Sequence, residues 1–137
     1  MKVVIETPKH SFFKYNRSGD HYIKVFFSPI PTIFNYGYIE GIKGPDGMEA
    51  DAVVLGPRMA QGTVTEFHNY QGVVRFIDDS VKDDKYIFYI SGYRSPYVLS
   101  FYFKIYALFK RFVYLILEQR ISKCEFLGIE EISSDIN

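Results

Sequence analysis

In the stretch GPDGMEADAVVLG, residues 44–56, Asp46 and Asp51 flank a glycine turn that leads into an apolar run. A second acidic turn, DDSVKDDK at residues 78–85, carries Asp78, Asp83 and Lys85 between two strongly apolar segments. Carboxylates presented in this way suit a hard cation. Mg²⁺ takes oxygen ligands and keeps water and substrate phosphate in its shell. Two such ions held by shared carboxylates can clamp a phosphoryl group and ionise a bridging water. Asp and Gly are also ordinary turn residues, so each segment taken alone reads first as a solvated polar turn. Met48 sits mid-turn in the first segment, where a third oxygen would fit.

The elements that must position these turns are mostly strands. KVVIE (2–6), FFKYN (12–16), HYIKVFF (21–27), YGYIE (36–40), ADAVVL (50–55), TVTEFH (63–68), GVVRFID (72–78) and KYIFYIS (85–91) are short β-like runs punctuated by turn residues. Runs at such intervals predict a barrel or sandwich. After Pro96 the period becomes helical, and SKCEFLGIE closes the chain as a last strand. The expected architecture is mainly β with α: a small, mostly antiparallel barrel over about 1–92, a helix over about 96–119 and a closing strand over about 122–130. Residues 1–137 read as a single domain, long enough to bury a core.

Sixteen basic and sixteen acidic side chains cancel, so the overall charge points neither to nucleic acid nor to an anionic membrane. Thirteen Phe and twelve Tyr with no Trp fit a β-rich core. The segment 97–117 is long enough to span a bilayer, but Lys104, Lys110 and Arg111 inside it would be costly in lipid. Ser100, Lys104, Ala107, Arg111 and Glu118 fall at helical spacing, which predicts a soluble helix with a narrow polar or small stripe and a broad apolar face. So broad a face predicts self-association. MKVVIETPKH has too short an apolar run for a signal peptide, and the lone Cys124 fits a reducing compartment, so the cytoplasm is the expected location. His10, His21 and His68 are scattered without metal spacing.

Several motifs in order make the chain resemble the family I soluble inorganic pyrophosphatases. D-G-M-E-A-D at Asp46–Asp51 resembles the family's D-G-D-P-x-D, and Tyr36, within FNYGYIEG, stands ten residues before Asp46. GVVRFIDDSVKDDK places Asp78, Asp83 and Lys85 at the family's intervals. VVIETP and FKYN match I-E-I-P and K-Y-E, which gives Glu6 and Lys14. The resemblance implies a five-stranded OB-like barrel with flanking helices and Mg²⁺-dependent hydrolysis of pyrophosphate, with Mn²⁺ as an alternative ion. It implies that Asp46, Asp51 and Asp83 hold the metal pair that activates water. Asp78 with Asp83 would help hold a metal bound with the substrate, with Glu6 near it. Lys14, Lys24, Lys85, Tyr36 and Tyr106 match groups that meet phosphate oxygens, and Asp46, Asp51, Tyr36 and Lys85 form the catalytic set.

The departures from that pattern are specific. Met48 replaces the carboxylate that accepts the proton from the bridging water, and a thioether cannot take up a proton at neutral pH. Losing a general base costs about 10²–10⁴ in rate. Glu49, one residue along and longer, is the candidate substitute base, although a one-residue offset is expected to turn it away. Asn16 stands where a Glu is expected, and Lys24 replaces an Arg, keeping the charge without the planar fork. In FKIYALF, Tyr106 matches F-x-x-Y-K and Ala107 replaces a phosphate-binding lysine, for which Lys104 or Lys110 could substitute. The family's terminal helix is expected to be missing. Three readings follow: a slow pyrophosphatase, a non-catalytic relative that binds metal and a phosphate compound, and an OB-like module stacking nucleic-acid bases. Phosphate release separates the first from the others, and the absence of basic excess disfavours the third.

Overall fold

The computed structural model of the chain describes residues 1–44, 47–90 and 96–131. Within them the order is β1 (Lys2–Thr7), β2 (Phe13–Ser18), β3 (His21–Phe27), β4 (Asn35–Lys43), β5 (Glu49–Leu55), β6 (Val64–Glu66), β7 (Gly72–Asp78), β8 (Val81–Lys82), β9 (Lys85–Tyr89), α1 (Pro96–Leu117) and β10 (Glu125–Glu131). The main sheet runs β10-β7-β9-β5-β4-β1-β6, with β8 paired to β7, while β2 and β3 form a separate two-stranded ribbon. The chain is thus mainly β with one helix near the C-terminal end of the described residues.

Neighbouring strands are antiparallel except β5 and β9, which are parallel. A strand covered on both faces reads as a nearly continuous apolar run, and ADAVVL has that form. Ala50, Ala52 and Val54 pack with Val3, Ile5, Ile39 and Phe88 on one side of β5. Val53 and Leu55 pack with Phe34, Phe76 and the helix residues Leu99 and Phe103 on the other. The first of these cores joins β1, β4, β5 and β9, and the second places α1 over β4, β5, β7 and β9.

Gly37 explains the NYG motif. A Cβ built there would lie 1.8 Å from the Val4 carbonyl oxygen, so β1 can approach β4 this closely only with a glycine. Asn35 beside it is fully buried. Its side-chain oxygen accepts from Lys9 N at 3.0 Å and Met59 N at 2.8 Å, and its amide donates to the Pro57 carbonyl at 2.9 Å. One side chain therefore ties two loops to β4.

Proline at the first helical position of α1 suits a turn whose N–H needs no partner. Leu99, Tyr102, Phe103 and Ala107 are the buried face. Ala107, grouped above with the polar stripe, lies on this face because its small side chain lets the helix sit close to the sheet. The helix ends at Leu117, earlier than expected, and Gln119 then takes a φ of 51° in the left-handed region. β6 is shorter than TVTEFH suggests, and β10 begins after the buried Cys124 rather than at Ser122. No helix among the described residues is long and apolar enough to cross a membrane.

Candidate functional site

The parallel pairing of β5 with β9 sets Asp51 directly opposite Lys85. Lys85 is 3% exposed, so its ammonium must find partners inside the protein. It donates to Asp83 Oδ2 at 2.9 Å and to Asp51 Oδ2 at 3.4 Å, and it also lies 3.3 Å from the Asp83 carbonyl oxygen. Burial alone would depress the Lys85 ammonium, but Asp51 and Asp83 outweigh it and hold it above its ordinary value. For Asp51 burial dominates and raises the pKa, with Lys85 and Lys14 pulling back and Asp83 adding to the rise. For Asp83 burial pushes up, yet the charge and hydrogen bond of Lys85 prevail and lower it. The neighbouring Asp84 faces away from this group. Its carboxylate meets Arg75 at 2.7 Å and accepts from Phe76 N at 3.3 Å, which anchors the start of β9 to β7.

Asp78, at the end of β7, faces the helix as well as the cleft. Lys110 Nζ lies 3.3 Å from Asp78 Oδ2, Tyr114 donates its hydroxyl to Oδ1 at 3.0 Å, and Cys124 Sγ lies 3.6 Å from the same oxygen. Burial, then Asp78 itself, pushes the Tyr114 phenol above its ordinary value. Of the two lysines weighed as replacements at Ala107, Lys110 is the one at the site, while Lys104 is exposed.

On the other wall, β2 leans on β1 and carries β3 on its far side. Thr7 Oγ1 accepts from Tyr15 N at 2.9 Å, Glu6 Oε2 accepts from Arg17 N at 2.7 Å, and Arg17 Nη1 donates to the Tyr38 hydroxyl at 2.9 Å. Glu6 is buried, and burial raises its pKa against the opposing pull of Arg17 N–H and Lys14. The walls enclose a cleft of about 730 Å³ whose lining includes Glu6, Lys14, Asp51, Asp78 and Asp83. Asn16, Met48 and Glu49 also line it, and Met48 is 69% exposed.

A smaller cavity of about 40 Å³ lies behind, where Lys14, Tyr36, Lys85 and Tyr106 meet. Lys14 Nζ sits 4.8 Å and Lys85 Nζ 5.7 Å from the centre of the Tyr36 ring. The Tyr36 hydroxyl is buried and has no hydrogen-bond partner among the described residues. Burial lifts its pKa well above the ordinary value, and the nearby Asp51 and Asp83 charges add to the rise. Tyr106 packs among Phe76, Tyr102 and Phe103. Lys24 is not brought to the cleft lining: it is exposed on β3, with its ammonium 4.3 Å over the Phe13 ring. Asp46 lies outside the described residues.

The donors suit Mg²⁺ in kind, since carboxylates of several elements line one cleft with lysines beside them. Each described carboxylate expected to bind metal already has a protein partner: Lys85 for Asp51 and Asp83, Lys110 and Tyr114 for Asp78, and Arg17 N for Glu6. Accordingly, no three acidic, histidine or cysteine residues among the described residues close on one point as a ready cage. Mg²⁺ commonly uses one or two carboxylates with water and substrate phosphate, which this arrangement permits. Sequence reading missed Arg17, Tyr38, Tyr114 and Cys124 as neighbours of the acidic groups. The residues that meet Asp78 lie 32 to 46 positions away, beyond any local motif.

A family profile described as "Pyrophosphatase: Inorganic pyrophosphatase" matches residues 3–97, and the chain belongs to that family. An inorganic pyrophosphatase of Corynebacterium glutamicum is 33% identical over 89 residues, which cover 62% of this chain and 56% of the relative. The chain thus matches a little over half the length of this curated relative. In fold it is similar to the inorganic pyrophosphatase of Thermus thermophilus, with a TM-score of 0.79 at 18% identity over 96% of this chain and 82% of that one. The Neisseria gonorrhoeae inorganic pyrophosphatase gives a TM-score of 0.74 at 22% identity, with the same coverages.

The paired aspartates give a pH test. In metal-free protein, a carboxyl ¹³C titration is expected to find Asp51 protonating above and Asp83 below the ordinary value of 3.8. The stability contributions have opposite signs. That of Asp51 is complete below 3.8 and is lost as pH rises through its raised value. That of Asp83 is complete above 3.8 and is lost as pH falls through its lowered value. The reverse order of protonation would contradict the placement of Lys85 closer to Asp83.

Proposed function

We propose that this chain hydrolyses inorganic pyrophosphate to two phosphates with Mg²⁺, more slowly than its relatives. The observation that carries the reading is the convergence of Glu6, Asp51, Asp78 and Asp83 with Lys14 on one cleft, above the buried Lys85, in a chain of the inorganic pyrophosphatase family. Residues 1–137 are taken as one pyrophosphatase-like domain, and the sheet as the OB-like five-stranded barrel that the family resemblance implies. Asp46, Asp51, Asp78, Asp83 and Glu6 would hold Mg²⁺ or Mn²⁺. The bound metal would supply Lewis-acid neutralisation of phosphoryl oxygens and a water ionised near neutral pH.

The protein's own groups have separate tasks in this reading. Lys14 and Lys85 offer ammonium donors to a compact polyanion. Lys110, already at Asp78, would take over from the lysine missing at Ala107. Tyr36 presents a hydroxyl that burial and two carboxylates keep protonated, so it acts as a donor. Tyr106 supports it from the helix. Lys24 is the weakest member of the set, since it must leave the Phe13 ring to reach substrate. Met48 cannot replace a proton-accepting carboxylate. It favours a second reading, a non-catalytic relative that binds metal and a phosphate compound. A cytoplasmic setting fits the lone buried thiol of Cys124.

Self-association of this chain is part of the proposal. Phe101, Leu108, Phe112, Leu115, Ile116 and Leu117 are all more than half exposed on α1. Such a patch on a water-facing helix suits a second copy of the chain. Multi-angle light scattering at micromolar concentration is expected to return a dimer or larger, and a monomer there would overturn this part.

The catalytic part is tested by phosphate release from pyrophosphate at saturating Mg²⁺, with a metal-free control. Wild type is expected to turn over slowly, and Met48→Asp to raise turnover by about 10²-fold or more. If wild type and Met48→Asp both bind Mg²⁺ and neither releases phosphate, the non-catalytic reading replaces this one.

A further inference from the structure

We propose that Glu49 supplies the metal-facing carboxylate that the acidic turn lacks at Met48. The inference rests on the metal-dependent reading above and concerns which side chain of this chain completes the site. It begins with strand parity. Successive side chains of a strand point to opposite faces. Along β5, Ala50, Ala52 and Val54 enter one core, while Val53 and Leu55 enter the other. Asp51 belongs to the second set by parity and meets Lys85 there. Glu49, two residues before Asp51 and still within β5, has the same parity. The one-residue offset from Met48 therefore leaves Glu49 on the same side of β5 as Asp51, and both Met48 and Glu49 border the cleft.

The surroundings of Glu49 agree. It is half-buried and lines the cleft together with Glu6, Asp51 and Asp83. Most telling, Glu49 Oε2 is buried and has no hydrogen-bond partner among the described residues. A buried carboxylate oxygen without a donor is costly, and such an atom needs an explanation. The other buried side-chain polar atom of this kind is the Tyr36 hydroxyl, whose residue is 6% exposed and which lies beside Asp51 and Asp83. A divalent ion is the partner that would satisfy Glu49 Oε2 without moving the strand. The longer glutamate side chain reaches from a position where the resemblance to the family expects none.

The alternative is that Glu49 merely adds negative charge to the cleft. Glu40 lines the same cleft and provides the control. Mn²⁺ binding to the metal-free full-length chain is to be measured by isothermal titration calorimetry, with circular dichroism checking each fold. Glu49→Gln is expected to weaken the tightest Mn²⁺ site by about 10-fold or more, the loss typical when a group supporting a metal site is removed. Glu40→Gln is expected to change it less than about 3-fold, and Glu49→Asp, which keeps the charge on a shorter stem, to fall between. Should Glu49→Gln not fold, the comparison of Glu49→Asp with Glu40→Gln decides. Wild-type affinity in the Glu49 variants, or an equal loss in Glu40→Gln, overturns this inference while leaving the metal-dependent reading standing. A wild-type chain that binds no Mn²⁺ at millimolar concentration overturns both.

Discussion

The ammonium of Lys85, buried between the carboxylates of Asp51 and Asp83, is the interaction on which the site is built. Left unpaired in that position it would cost several kcal/mol, so the strands that carry its partners cannot drift. The parallel register of β5 and β9 sets Asp51 opposite Lys85, and Asp83 precedes β9 by two residues. The same neutralisation lets two carboxylates approach each other, which bare like charges would resist. Arg75 and Asp84 perform a structural version of the task one residue further along, tying the start of β9 to β7. The polar floor of the cleft is thus a set of ion pairs whose positions follow from sheet register.

Around that floor, the cleft is assembled from elements that each contribute a different charge. β1 and the β2–β3 ribbon contribute Glu6 and Lys14, and α1 reaches back to Asp78 through Lys110 and Tyr114. The departures that the family resemblance implies fall unevenly on the structure. The groups whose burial would be intolerable without partners, Lys85 and Asp51 above all, are present. The changed positions, Met48, Asn16 and Lys24, are exposed, where a replacement costs little stability. Ala107 is the exception. It is buried, and its small side chain serves helix packing where the resemblance expects a lysine. The fold and the carboxylates of the cleft thus depend on buried positions, and the implied departures at exposed ones leave them in place.

Much of this was legible in the sequence, for identifiable reasons. β3 and β7 have the bounds that the runs of β-forming residues and their flanking turn residues suggested. Motif spacing singled out Asp51, Asp78 and Asp83, and all three line one cleft. The two-residue β8 was not legible, since VK inside a run of aspartates carries no strand signal. The parallel β5–β9 pairing joins segments 34 residues apart and was invisible locally. Glu49 opens β5 two residues before Asp51, a strand boundary that the turn-rich stretch before it did not mark. The neighbours of Asp78 come from α1 and from Cys124, and only tertiary packing brings them there.

The central claim is that Asp51 and Asp83, held by Lys85, form the metal-binding floor of the cleft. Crystals of the protein grown with Mn²⁺ and a non-hydrolysable pyrophosphate analogue test it most directly, through anomalous scattering at the manganese edge. The account predicts an anomalous peak bonded to carboxylate oxygens of Asp51 or Asp83, with the analogue in the same cleft. Manganese found only elsewhere on the surface, with Lys85 still bridging both aspartates and the cleft free of analogue, would contradict it.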